Sequence, residues 1–302
     1  SPRRAAWRAP PALCPPPARP VIGAHRLWLT SQCNSHCDHC PGAAWADRTD
    51  KPVATAAHEL EAARRQGATE LTVIRGEATL RKDLVKLVRH ARRVGYETVR
   101  LETNGRLLSY EPYAPALVRA GVTHFEVAWF GPDAASHDAI DGSPGAFDQV
   151  AAGLENLRGA GAHVTMVVPV VLRNVALLEE MAAQAIRWRP AGLVFDLAPP
   201  VRVGPRWVVE HAVSIDRAAL PVRRAVEAAR QVGLAVQVRG LPLCAMTGWA
   251  DVGDLVEPVS AAHQPSKCEP CSVRDVCPGV AQAYTAAFGA WELRPIAERS
   301  TT

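Results

Sequence analysis

Apolar and β-branched residues gather in short runs at 25–30, 70–74 (Glu-Leu-Thr-Val-Ile), 97–102 (Glu-Thr-Val-Arg-Leu-Glu), 122–129, 163–171 and 192–197. Each run has the length of a strand, and between the runs apolar positions recur at helical spacing. Over 81–94 they fall at Leu84, Leu87, Val88, Ala91 and Val94, and the pattern stops at Gly95, a residue suited to the left-handed turn that ends helices. Patterns over 58–66, 113–120 and 147–158 stop in the same way at Gly67, Gly121 and Gly159. Strand, helix and glycine in repetition predict βαβ units around a parallel sheet. Six units fit before about residue 200, and right-handed crossovers curve them toward a barrel that six units leave open. The fold class expected is therefore α/β, a partial (βα)6 TIM-like barrel.

Residues 205–302 change character. A helix at 216–232 and a strand at 234–239 continue the alternation once. A Gly-, Pro- and Asp-rich stretch then carries Cys244, and Cys268, Cys271 and Cys277 follow before a short helix at 280–289. The division expected is a core domain over 23–204 and a small cysteine-rich domain over 205–302. Residues 1–22, rich in Pro, Ala and Arg, predict a disordered lead-in in which Cys14 is a bystander.

Composition narrows the partners. The net charge of +4 is mild and the aromatic residues are scattered, so a nucleic-acid groove is not expected. No apolar run approaches the roughly 18 residues of a membrane helix, so no membrane association is expected. The arginines of 1–22 are not followed by a continuous apolar segment of a signal peptide. The eight cysteines cluster at gaps of two to five residues, apart from Cys14 and Cys244. That spacing points to metal in a reducing cytoplasm rather than to disulfides.

The first cluster is Cys33-x3-Cys37-x2-Cys40, placed just after the first strand. Three soft thiolates on one short loop hold three corners of an iron–sulfur cluster and leave the fourth open to an exogenous ligand. A zinc knuckle completed by His36 or His39 fits the same spacing. The polar and glycine-rich punctuation falls at the same end of every strand: the cysteines, then Arg75-Gly76-Glu77, Thr103-Asn104-Gly105, Phe130-Gly131-Pro132-Asp133, Asn174 and Pro199-Pro200. Ligands of parallel α/β sheets sit at that end.

With these motifs the chain resembles the radical S-adenosylmethionine (radical SAM) superfamily from about Arg26 to Glu292. The resemblance implies that Cys33, Cys37 and Cys40 ligate a 4Fe–4S cluster whose open iron takes the methionine end of S-adenosylmethionine. It implies that Gly76 and Glu77 hold the methionine amino group and that Thr103, Asn104 and Asn174 lie along the cofactor. His39 takes the place of an aromatic residue near the adenine. Residues 137–157 match the family's run after the fourth strand. Cys244, Cys268, Cys271 and Cys277 resemble a Twitch/SPASM-like extension with a second, auxiliary 4Fe–4S cluster. The activity implied is electron transfer from a flavodoxin- or ferredoxin-like reductant, reductive cleavage to a 5′-deoxyadenosyl radical, and hydrogen abstraction from a peptide or a small polar metabolite.

Each residue has a plainer role beside this one. Glu77 fits a solvated turn carboxylate, Asn104 a left-handed turn residue, and Asn174 the end of a strand. His39 fits simple loop packing, Arg75 a solvent-facing cation, and Trp129 and Phe130 the core. The four late cysteines also suit zinc, and Cys244 also suits a free hydrogen-donating thiol. Arg75, Ala78 and Ala128 stand where the family has Gly, Pro and Ser. They leave open the alternative of a non-catalytic metal-binding scaffold.

Overall fold

The computed structural model describes residues 23–40, 42, 49–203, 205–247, 256–257 and 262–297. The expected lead-in over 1–22, Cys14 included, lies outside the described residues. The chain opens with β1 (Ala24–Trp28), α1 (Val53–Arg65), β2 (Glu70–Ile74), α2 (Leu84–Val94), β3 (Thr98–Thr103) and α3 (Tyr113–Ala120). It continues through β4 (His124–Ala128), α4 (Ala134–Asp141), α5 (Ala146–Gly159), β5 (Val164–Val170), α6 (Leu178–Ala185) and β6 (Gly192–Leu197). After a small antiparallel ribbon of β7 (Val201–Val203) and β8 (Arg206–Val208) come α7 (Ile215–Gln231), β9 (Val236–Arg239) and the two-residue β10 (Val256–Glu257). The chain ends with β11 (Ala262–His263), β12 (Val280–Ala281) and α8 (Gln282–Phe288).

All six expected strands are present and pair in parallel in the order in which they occur. The sheet does not stop at residue 204. β9 pairs beside β6 and β10 beside β9, giving the order β1-β2-β3-β4-β5-β6-β9-β10. A sequential order combined with right-handed crossovers puts the intervening helices on one face and leaves the other face free to curve inward.

The two faces differ in chemistry because the strands alternate. In β3, Val99 and Leu101 are fully buried, as are Phe125 and Val127 in β4 and Met166 and Val168 in β5. These residues pack with Leu60, Leu87, Leu117 and Leu157 from the helices. Burying each such side chain contributes about 1.5–3 kcal/mol. The intervening positions, among them Arg100, Glu102, His124, Glu126 and Asp196, stay half-exposed on the concave face.

The C-terminal segment docks on the same core. Tyr284 and Leu293 are nearly fully buried and belong to the main apolar cluster. Tyr284 donates from its hydroxyl to Glu292, and both accept from the backbone N–H of Ile215 at the start of α7 (2.9 and 3.0 Å). An unpaired donor at that helix end is thereby satisfied. Helices α4 and α6 were not expected from the periodicity.

Candidate functional site at the C-terminal ends of the strands

The loop from Cys33 to Cys40 is pinned by backbone groups and long side chains rather than by its own apolar content. His36 N–H donates to the Asp141 carbonyl (2.8 Å), and Gly142 passes so close that a Cβ there would lie 2.8 Å from His36 O. Arg106 donates to the Asn34 carbonyl and lies 3.5 Å from the Asp141 carboxylate. On the other flank Glu77 N–H donates to Gln32 O (2.7 Å). Gly76, with φ +61°, leaves no room for a side chain: an added Cβ would meet Thr30 O at 2.4 Å and Gln32 O at 2.7 Å. Glycine is required here because two loop backbones touch. Arg75 adopts φ 69° despite its side chain, which lies over the Trp28 ring at 5.3 Å.

Glu77 is fully buried, so the solvated-turn role does not hold. Its Oε1 accepts from Thr79 N (3.0 Å), Thr79 Oγ1 (2.6 Å) and Thr103 Oγ1 (2.8 Å), and its Oε2 from Asn104 N (2.7 Å). Burial raises its pKa above the usual carboxylate range, against these four donors. The carboxylate locks the β2 loop to the end of β3, and Oε2 keeps a lone pair for a further donor. Asn104 reaches from that strand end back to the cysteines. Its Nδ2 lies 3.8 Å from Cys33 Sγ and donates to Asn34 Oδ1 (2.8 Å) and Ser35 Oγ (3.0 Å). The left-handed residue of this turn is Gly105 (φ 77°), not Asn104. Gly76, Glu77, Thr103 and Asn104 are thus brought together beside Cys33.

Asn174 is not among them. Its Nδ2 donates to Phe130 O (3.0 Å) and Pro169 O (2.9 Å), and its Oδ1 accepts from Val171 N (2.9 Å). These bonds describe its strand-ending role. His39 packs edge-on against Phe130 at 5.3 Å and lies 6.4 Å from the His211 ring, which is buried. Phe130 forms the wall beneath it. Trp129 is core, against Trp188 and His137.

All seven described cysteines are free and half-buried. Burial pushes up the thiols of Cys33, Cys37 and Cys40, and their mutual proximity adds to this for Cys33 and Cys37. Backbone N–H groups nevertheless point at sulfur: Ser35 at Cys33 (3.4 Å) and Gly42 at Cys40 (3.3 Å). Among the described residues no three His, Cys, Asp or Glu side chains meet around a point where one metal ion would sit. A cluster places each thiolate on a different iron and needs no such point. Soft donors, a thiolate penalty that cationic iron would offset, and N–H groups aimed at sulfur all fit an iron–sulfur group.

The late cysteines form a second group. Cys244, at the turn after β9, lines one pocket with Cys268, Cys271 and Cys277, together with Leu293 and Arg294. Burial raises the Cys244 and Cys268 thiols, with further contributions from the other cysteines of the pocket. Ile296 N–H donates to Cys271 Sγ (3.4 Å). The donor set fits a fully thiolate-ligated centre.

The model of the radical SAM superfamily matches residues 29–185, just over half of the chain. The chain belongs to the radical SAM superfamily. It is 34% identical over 149 residues to an AdoMet-dependent heme synthase of Methanosarcina barkeri, covering 49% of this chain and 42% of that protein. It is 33% identical over 159 residues to a PqqA peptide cyclase of Gluconobacter oxydans, covering 52% and 44%. The chain thus spans less than half the length of these curated relatives. The crystal structure of Streptococcus suis SuiB bound to S-adenosylmethionine shares the fold, with a TM-score of 0.61 at 14% identity over 72% of this chain and 50% of that one.

Arg106, Asp141, His211, Glu102 and Glu126 escaped the sequence reading. Glu102 and Glu126 carried a signal, the polar–apolar alternation of β3 and β4. The first three become neighbours of the cysteine loop only through tertiary folding. Among the described residues no helix is long and apolar enough to cross a membrane.

Proposed function

We propose that the chain is a radical SAM enzyme that cleaves S-adenosylmethionine reductively and abstracts hydrogen from a peptide substrate. The observation that carries this reading is the meeting of three free cysteines with Gly76, Glu77, Thr103 and Asn104 at one end of a parallel sheet. Cys33, Cys37 and Cys40 would hold a 4Fe–4S cluster. That group, with its cofactor, supplies one-electron carbon–sulfur cleavage and a hydrogen-abstracting radical. The protein's own residues bind and orient. Glu77, through Oε2, accepts from the cofactor's amino group; Asn104 braces the loop at Cys33; His39 and Phe130 wall the site against water. Cys244, Cys268, Cys271 and Cys277 would hold a second 4Fe–4S cluster in a small domain made by residues 205–302. A flavodoxin- or ferredoxin-like protein would supply the electron, and seven free thiols suit a reducing cytoplasm.

The peptide class is supported by two similar proteins, the PqqA peptide cyclase and SuiB, the latter also solved bound to its precursor peptide SuiA. Anaerobic reconstitution with iron and sulfide tests the whole reading. The expected result is two 4Fe–4S clusters per chain and 5′-deoxyadenosine on adding dithionite and S-adenosylmethionine. The Cys33/Cys37/Cys40→Ala variant should keep one cluster and form no 5′-deoxyadenosine. Well-loaded protein that cleaves no cofactor, or zinc in place of iron, overturns it.

A further inference from the structure

Every charged side chain within α2 is basic, and Lys82 extends the run to the residues just before the helix. The helix packs between α1 and α3. His90 turns to α1, 3.2 Å from Glu61, and Arg92 lies against Gly121 at the end of α3. The face left over carries Lys86, Arg89 and Arg93 at three- and four-residue steps, with Lys82 four positions before Lys86, and all four are exposed. Among the described residues their side chains have no hydrogen-bond or ion-pair partner. The acids beside them are engaged elsewhere, Asp83 by Arg81 (2.8 and 2.6 Å) and Glu61 by His90. Lys86 acts on Asp83 through its charge alone.

Helix stability does not account for this stripe. A lysine in the first turn opposes the positive end of the helix dipole, and α2 has no acidic residue there. Like charges three and four positions apart, as at Lys86 and Arg89 or at Arg89 and Arg93, repel one another. Both effects weaken the helix, and an acidic surface laid across it relieves both.

The stripe begins at the cysteine end of the sheet. Arg81, next to Lys82, donates to Leu29 O (2.8 Å) and Lys51 O (2.7 Å), and Leu29 leads into the cysteine loop. Leu80, on the other side of Arg81, follows Thr79, whose hydroxyl and N–H donate to the Glu77 carboxylate. That carboxylate in turn accepts from Asn104 N, beside Cys33. Leu80 (38% exposed) and Tyr110 (69% exposed) are large apolar side chains open to solvent. Tyr113, one turn after Tyr110, donates from its hydroxyl to Thr79 O (2.9 Å) and ties the start of α3 to this turn. Cations beside exposed apolar side chains suit a small, electrostatically steered protein contact.

We propose that the Lys82, Lys86, Arg89 and Arg93 face of α2, with Leu80 and Tyr110, docks an acidic one-electron donor protein of the flavodoxin type. The proposal rests on the radical SAM reading above, which requires an electron at the Cys33/Cys37/Cys40 cluster. In the step served, an anionic flavin hydroquinone loses one electron and becomes the neutral semiquinone. That electron enters the cluster, and no proton moves. Electron transfer slows steeply with distance, so the donor belongs on a surface bonded directly to the strand ends that carry the cysteines. Charge complementarity selects an acidic partner, and a salt-dependent encounter follows from it.

The test uses the reconstituted full chain and a purified acidic bacterial flavodoxin. Isothermal titration with the oxidised flavodoxin reads binding, and stopped-flow bleaching of the cluster by flavodoxin hydroquinone reads electron transfer. Wild-type affinity should fall as salt is raised. Lys82→Gln/Lys86→Gln/Arg89→Gln should weaken binding and slow flavodoxin-driven reduction, each about tenfold, and leave reduction by dithionite unchanged. Arg217→Gln/Arg224→Gln/Arg230→Gln removes the same charge from α7 and should leave both readouts as in wild type. Circular dichroism checks that both variants are folded, and binding, which needs no loaded cluster, decides the question if a variant takes up iron poorly. Equal losses in the two variants, or wild-type binding by the α2 variant, overturn the proposal. So does wild-type protein that binds an oligouridylate and no flavodoxin. The 5′-deoxyadenosine yield with dithionite is measured in parallel. Its absence with flavodoxin binding at α2 intact would remove the proposed activity and leave the docking surface standing.

Discussion

Asn104 aims its Nδ2 at Cys33 Sγ from 3.8 Å while the same amide group bonds Asn34 and Ser35 on the cysteine loop. A donor directed at a cluster ligand stabilises the more negative, reduced state and raises the reduction potential. Asn104→Leu removes that donor and keeps the side-chain volume similar. A hydrogen bond worth about 1 kcal/mol corresponds to about 40 mV for one electron. The midpoint of the Cys33/Cys37/Cys40 cluster, followed by electron paramagnetic resonance in a redox titration, should fall by that order. An unchanged midpoint would confine Asn104 to bracing the loop.

Gly76 is where the backbones before Cys33 and after β2 touch. Alanine there combines a left-handed φ of +61° with a Cβ 2.4 Å from Thr30 O. Strain of this kind costs about 1–3 kcal/mol, and the loop must move to relieve the overlap. Gly76→Ala should lower the thermal midpoint and weaken S-adenosylmethionine binding by the reconstituted protein. Gly145→Ala is the control, because it has a comparable φ of +80° and open space around the added Cβ. It should lower the midpoint while sparing cofactor affinity, and equal losses of affinity in both variants would contradict the contact argument.

Glu102 links the concave face to pH. Its carboxyl is raised from 4.5 to about 7. The folded state therefore keeps a proton that the unfolded state has released, and the associated stability is fully present below pH 4.5. It is lost as the pH rises through about 7. The thermal midpoint of wild type should fall across that window relative to Glu102→Gln, whose amide does not titrate. Parallel melting curves for the two proteins from pH 4.5 to 7.5 would show that Glu102 does not titrate as described.

The strands were legible because a sheet packed under helices needs apolar residues at alternate positions, and Val99, Leu101, Phe125 and Val127 supply them. The helix ends at Gly95 and Gly121 were legible for a local reason too: both adopt left-handed φ in the structure. Helix α6 was missed because its buried positions, Leu178, Met181, Ala182 and Ala185, include two alanines that barely contrast with their surroundings. Helix α4 lay hidden within the motif run 137–157. At the site, the C-x3-C-x2-C spacing was local and plain. The roles of Glu77 and Asn174 were not, because burial decides whether a carboxylate or amide is free for a ligand. No spacing shows that Asn174 is spent on Phe130, Pro169 and Val171.

Arg106 and Asp141 give the last expectation. The Asp141 carboxylate is fully buried behind the cysteine loop, with Arg106 3.5 Å away and 11% exposed. Arg106 also holds the Asn34 carbonyl and the Gln149 side chain (2.7 Å). Removing one member of a buried ion pair strands the other and costs about 3–5 kcal/mol. Arg106→Met should therefore unfold at markedly lower denaturant. Arg106→Met/Asp141→Leu should recover much of the loss, since a buried pair replaced by apolar groups of similar volume is often neutral. The recovered protein still lacks the donor to Asn34, so its cysteine loop should take up iron and sulfide more slowly than wild type. Stability from denaturant melts and cluster loading from iron content separate the two roles. Additive losses in the double variant would show that Arg106 and Asp141 do not interact across the loop.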